Sequence, residues 1–299
     1  MRNRERRYRL INLGVILAAV LLFVYNYQDV STLFGDTDFF HIFITFITVL
    51  LVHLIKAGRL YLALYGTEIT LPSHVKIYSK VTPVGVVLPF KLGEFFRMFC
   101  YGRQLGNNLK GIVIILLDRF MDSIALVSIL LLIWMMNGGH VIPFVYVIVV
   151  FLVLVMIAYL IFPGMHGFWK KFILCSKATK RKLVLLRILD SLDMVYREIE
   201  GVTRGRGVLL YAMSLAAWAV EMGSIAIRHG LSDQSSLSQK ISEYLLSAMG
   251  QGHSVMLRQF ICISIVLLIA VYMLIKTIEL LSAEGKRGKT QYENNRGLR

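Results

Sequence analysis

The chain is poor in the residues that punctuate soluble, loop-rich proteins. Five prolines in 299 residues and no low-complexity tract leave little room for linkers, so one embedded unit is expected over residues 1–299. Three cysteines, Cys100, Cys175 and Cys262, follow no metal or disulfide spacing and read as reduced and structural. Charge is scarce too: 17% of residues are charged, against 57% apolar, and the mean hydropathy is +0.66. A soluble domain of this length would bury a large core, but not this many uninterrupted apolar runs. The composition places the chain in the all-α class of polytopic integral membrane proteins.

Enzyme signatures are also missing. There is no Walker loop, no Ser–His–Asp spacing, no His-x-x-x-His and no Cys-x-x-Cys, so no catalytic residue, metal or cofactor is expected. Asp36-Thr37-Asp38 matches the Asp-x-Asp form used for metal and sugar-phosphate binding. It falls in an outer loop, away from nucleotide sugars, and chance is the favoured reading. His140 and His253 also fall outside, without ligand partners.

Acidic residues are few, 18 against 33 Lys and Arg, for a net charge of +15. That excess could attract nucleic acid, but its placement argues otherwise. Arg2, Arg4, Arg6, Arg7 and Arg9 precede the first apolar run. A second set fills the loop 164–206 and a third the tail 282–299. This positive-inside pattern predicts a multi-pass plasma-membrane protein with both termini cytoplasmic. The basic face suits an anionic inner leaflet, at about 1 kcal/mol per well-placed charge.

Six full spans are expected, over 10–27, 39–64, 109–136, 141–162, 207–227 and 259–281. Within 164–206, Leu185, Leu186, Leu189, Leu192, Val195 and Ile199 recur at helical spacing and predict an amphipathic helix lying along the membrane surface. The core 74–106 stands apart. Its apolar run between Pro83 and Pro89 is too short to cross a bilayer, and it leads into Lys91, Glu94, Arg97 and Arg103. Such a run reads as a re-entrant segment, whose irregular backbone survives only beside protein or a watery cavity. Three crossings in each half would make the second half an inverted repeat of the first, with residues 237–252 as the outward counterpart of the re-entrant core.

The candidate site follows from charges placed within these elements. Glu94, Arg97 and Tyr101 step by three and four and share a helical face, and Arg offers phosphate a bidentate, permanently charged partner. Gly93 just before them permits close approach. The bland alternative is a charged face that water merely solvates. His53, Lys56 and Arg59 share another face, where Lys56 and Arg59 would either face inward or snorkel to the interface. Asp118, Arg119 and Asp122 lie inside a span, where ionisable residues are costly, with an Arg119–Asp122 pair as the self-satisfied alternative. Glu221 is the deepest acid by sequence. It would be protonated and structural, paired to a cation of another helix, or a proton site.

Arg59, the stretch Leu-Pro-Phe-Lys-Leu-Gly-Glu-Phe-Phe-Arg at 88–97, Tyr101 and Asp118-Arg-Phe-Met-Asp122 resemble the lysylphosphatidylglycerol synthase transmembrane-region, or flippase-like, family. That family shows Pro, then Gly-Glu, then Arg, followed a span later by an acidic-Arg-x-x-Asp sequence; Asp118 stands where Glu is usual. The resemblance implies a helical bundle with re-entrant elements that moves lipids with charged or sugar-bearing headgroups between leaflets. The implied substrate is an aminoacylated phospholipid or a polyisoprenyl-linked saccharide. Arg59, Arg97, Arg103 and Arg119 would gather its phosphate, and Glu94, Asp118 and Asp122 would meet the cationic or hydroxylated part. Of the Pro-Gly-Gly-x-Gly-x-x-Glu motif frequent in the family's second half, Glu243 and Gly250 are the only echoes. The soluble aminoacyl-transfer domain of bifunctional members has no counterpart here, so the expectation leans away from an enzyme. The alternatives are a membrane-embedded glycosyl- or aminoacyl-transferase acting on lipid-linked substrates, and a non-transporting partner of envelope-synthesis enzymes.

Overall fold

The computed structural model describes residues 2–26, 30–35, 37–88, 92–137, 143–175, 179–229, 234–248 and 254–296. Among the described residues every regular element is a helix: α1 (Arg2–Asn26), α2 (Val30–Gly35), α3 (Phe39–Ala63), α4 (Leu71–Val87), α5 (Leu92–Gln104), α6 (Asn108–Asn137), α7 (Pro143–Leu174), α8 (Lys180–Thr203), α9 (Gly207–His229), α10 (Gln234–Ala248) and α11 (Val255–Arg296). The punctuation is economical. Pro72 falls in the first turn of α4 and Pro143 opens α7, where a missing N–H leaves no helical bond unmade. Gly106 and Gly205 end α5 and α8 with φ of 63° and 75°, a left-handed conformation open to glycine.

Among the described residues, four helical stretches are long and apolar enough to cross a membrane: Phe39–Ala63, Tyr146–Leu174, Gly207–Arg228 and Val255–Ser282. The protein is an all-helical, polytopic membrane protein. The other two expected spans fall on α1, whose apolar stretch Leu10–Tyr25 is described, and on α6, which carries Asp118, Arg119 and Asp122. In Tyr146–Leu174 only 6% of the most apolar window is buried within the protein, as expected of a helix whose neighbours are acyl chains.

The chain divides into two compact units. The first comprises residues 1–50, 70–97 and 255–299. Its centre is the packing of α11 on α4, with α1 on α4 and α2 on α11. Gln259 of α11 donates to the Leu33 carbonyl and to Thr37, each at 2.9 Å, which fixes the short α2. Lys76 of α4 reaches Glu279 of α11 at 2.6 Å. The core expected to be re-entrant contains two helices. α4 stays helical through Pro83 and ends at Leu88, and α5 starts at Leu92; Pro89, Phe90 and Lys91 lie outside the described residues. Close backbone contact joins the two helices, since a Cβ on Gly93 would stand 2.1 Å from the Gly85 Cα. We therefore expect Gly93→Ala to lower stability by about 1–3 kcal/mol through overpacking. Gly164→Ala, at a position with nothing within 4 Å, should be neutral or mildly stabilising. Fluorescence-detected size exclusion after a heat ramp checks both.

The second unit comprises residues 51–69 and 98–254, built on the packing of α6 against α9. A second glycine contact closes its α5–α6 turn: a Cβ on Gly111 would lie 2.4 Å from the Gly102 Cα. The amphipathic pattern expected within 164–206 forms α8. It packs antiparallel on the end of α7, which runs on as helix past Pro163. Tyr196 stacks on Tyr159 and Phe162 at 4.9 and 5.3 Å, His166 stands 3.9 Å from Asp193, and Lys170 donates to Asp190 at 3.1 Å. The α10 helix packs on α9. Finally, the tail expected over 282–299 continues α11 as helix to Arg296.

Candidate functional site

Two buried charge clusters carry the chemistry, one in each unit. In the second unit, α3 presents Lys56 and Arg59 one turn apart. Arg59 is 1% exposed. Its Nε donates to Asp118 Oδ1 at 2.7 Å, and its Nη1 donates to Asp122 Oδ1 at 2.8 Å and to Ser214 Oγ at 2.6 Å. One guanidinium thus ties α3 to α6 and α9, which its planar fork of donors permits and an ammonium would not. Asp118 is shared: its Oδ2 accepts from Arg119 Nη2 at 2.8 Å. The intrahelical Arg119–Asp122 contact is present, but long, at 3.9 Å.

Lys56 and Arg59 therefore turn inward rather than snorkel. Lys56 Nζ donates to Glu221 Oε1 at 2.8 Å and sits 5.4 Å from the Trp218 ring centre. Tyr244 of α10 donates its hydroxyl to Glu221 Oε2 at 3.0 Å. Glu221 is thus ion-paired and hydrogen-bonded across three helices, and the cation that sequence could not name is Lys56. The pairs Lys56–Glu221 and Arg59–Ser214 run in opposite directions along α3 and α9, so the two helices are antiparallel. Lys56, Arg59 and Arg119 balance Asp118, Asp122 and Glu221 charge for charge. Taken by itself, that set has no net charge with which to draw an ion.

The first unit holds Glu94 and Arg97 on α5, with different character. Arg97 is 4% exposed, yet its bonds are long: 3.4 Å from Nη1 to Glu94 and 3.2 Å from Nη2 to Thr82 of α4. Its Nε is buried without a hydrogen-bond partner. A buried guanidinium so loosely held retains capacity for a further acceptor, since unmet donors are costly in a dry site. Nearby on α4, Lys80 donates to Asn12 at 2.8 Å and stands 5.3 Å from the Phe96 ring centre. Lys80, Arg97 and Glu94 sum to a charge of +1.

The remaining expected residues divide. Tyr101 is fully buried on α5, and Arg103, two residues on, is exposed. Asp38 is exposed beside His41 at 3.8 Å, and Thr37 is engaged by Gln259. Asp36, His140, His253 and Gly250 lie outside the described residues, and Glu243 meets Lys240 at 3.5 Å. Sequence reasoning missed Thr82, Lys80, Ser214 and Tyr244. Ser214, Trp218 and Glu221 step by four and three, so one face of α9 carried a readable signal. Tyr244 carried none, because its partner lies on another helix.

A family model for the lysylphosphatidylglycerol synthase TM region matches residues 10–257, most of the chain. No curated protein and no solved structure matches.

Proposed function

We propose that this chain, which belongs to the lysylphosphatidylglycerol synthase TM region family, is a lipid translocase that carries a membrane lipid with an anionic or zwitterionic headgroup between leaflets. The observation that carries the reading is Arg97: a buried arginine with long bonds to Glu94 and Thr82 and an Nε without a partner. A phosphate would supply the missing acceptors in bidentate form. Glu94, 3.4 Å from the same guanidinium, would meet an amine or a sugar hydroxyl on the same headgroup. An aminoacylated phospholipid or a polyisoprenyl-linked saccharide carries both groups. Arg59, Asp118, Arg119 and Asp122 would serve as the frame that keeps costly charges inside a membrane bundle, and Tyr101 would pack beside them on the family motif. Arg103, exposed at the end of α5, would offer the lipid its first contact. The protein would sit in the plasma membrane with both termini and the 164–206 segment cytoplasmic, near envelope-synthesis enzymes.

Reconstitution tests this reading. Liposomes with the purified chain and a fluorescent or radiolabelled candidate lipid should show leaflet exchange, and Arg97→Ala should slow it roughly tenfold to a hundredfold. That range corresponds to about 1.5–3 kcal/mol for one hydrogen bond to a charged group. Arg97→Lys should fall between the two, keeping charge without the fork. Equal exchange by wild type and Arg97→Ala would remove Arg97 from the pathway.

A further inference from the structure

The paired α7 and α8 helices present an apolar and basic surface that translocation chemistry does not use. The stretch Tyr146–Leu174 is 29 residues long, about 44 Å at 1.5 Å per residue. The hydrocarbon layer is only about 30 Å thick. The excess either tilts the helix or enters the headgroup layer. Along it, Leu154, Ile157, Ile161, Met165, Phe168 and Phe172 step by three and four and are all exposed. One lipid-facing row thus continues from the span past Pro163 without a break. It ends beside Trp169, in the aromatic company that settles at headgroup level.

On α8, Val184, Ile188 and Leu192 are exposed as well. With Leu109 of α6 they line an open groove of about 290 Å³ that also includes Arg187. Three of the four acids of α8 are engaged: Asp190 with Lys170, Asp193 with Arg197, and Glu198 with Lys110. Lys180, Arg181 and Arg187 have no acid partner among the described residues. A protein interface core would disfavour such unpaired lysine beside aliphatic side chains. A sheet of anionic headgroups over acyl chains accommodates both.

We propose that α8 and the end of α7 beyond Pro163 lie obliquely in the headgroup layer of an anionic leaflet, with Val184, Ile188 and Leu192 on acyl chains and Lys180, Arg181 and Arg187 on lipid phosphates. The inference stands apart from the translocation reading and would hold for a chain that moves nothing. It adds to the surface helix expected from sequence a brace, the neighbouring span.

Spin labels on the full-length protein test it. In a Cys175→Ser background, where Cys100 and Cys262 are buried, a label is placed by Ile188→Cys or Leu192→Cys. The protein then enters lipid discs of phosphatidylcholine alone or mixed with phosphatidylglycerol. Power saturation with oxygen and with a water-soluble nickel chelate reads depth. Both labels should be oxygen-accessible and nickel-protected in the mixed discs. Adding Lys180→Glu, Arg181→Glu and Arg187→Glu should move them towards water there, weakening attachment roughly fivefold per cation, and leave them unchanged in phosphatidylcholine. Nickel access at both positions in both discs would overturn the proposal. So would spin–spin coupling between two copies, or a charge-reversed protein that keeps its depth in anionic discs.

Discussion

Replacing Arg59 with alanine is expected to cost about 3–5 kcal/mol of stability, the penalty of breaking a buried ion pair from one side. Its guanidinium meets Asp118, Asp122 and Ser214 at 2.6–2.8 Å and is 1% exposed. Without it, two carboxylates one turn apart on α6 lose their most buried counter-ion, and the contact from Arg119 to Asp122 is long, at 3.9 Å. Arg59→Lys should recover little, because one ammonium on a flexible stem cannot hold three acceptors at the angles of the fork. Arg59→Met together with Asp118→Asn and Asp122→Asn should recover most of the loss, since uncharged groups need no counter-ion. The loss of monomeric protein on a heat ramp in detergent reads all three variants. If Arg59→Ala survives that ramp unchanged, the cluster does not hold α3, α6 and α9 together.

The same cluster shows what sequence can and cannot place. Asp118, Arg119 and Asp122 were legible because charges inside an apolar run are costly whatever surrounds them. Arg59 was legible as a member of an α3 face, but its orientation was not, because inward pairing and snorkelling leave the same trace in one helix. The deciding information sits on α6 and α9, far away in sequence. The helical class and most spans follow from hydropathy alone, a local property. The break of the re-entrant core was visible as a stretch between two prolines. Pro83 nevertheless stays inside α4, while the stop comes at Leu88, just before Pro89. The residue ahead of a proline is steered out of helical geometry, whereas a proline within a helix chiefly forfeits one hydrogen bond.

The amphipathic pattern of α8 was legible as a helix, but its neighbour in the protein was not. Hydrophobic spacing tells that one face is covered, not by what. Tyr196 and Asp193 answer Tyr159, Phe162 and His166 on α7, and these partners were hidden because α7 was expected to stop at residue 162. A glycine contact such as Gly85–Gly93 was hidden in the same way, since a missing Cβ signals close approach without naming the neighbour.

Glu221→Ala is expected to destabilise by a similar amount, about 3–5 kcal/mol, and here a double replacement separates three roles that sequence left open. Lys56, with a side chain 20% exposed against 4% for Glu221, would lose its carboxylate, and the buried Tyr244 hydroxyl would lose its acceptor. Lys56→Met alone should be nearly as harmful, because it strands the acid instead. Lys56→Met with Glu221→Leu removes both charges and should regain most of the stability, so that the two effects are strongly non-additive. Tyr244→Phe should add only about 1 kcal/mol in the wild-type background and nothing in the double variant. Leaflet exchange by the stable double variant then decides the role. Exchange at the wild-type rate makes the pair a structural brace between α3, α9 and α10. Exchange that stops while the fold persists makes the ionisable pair a working part of transport.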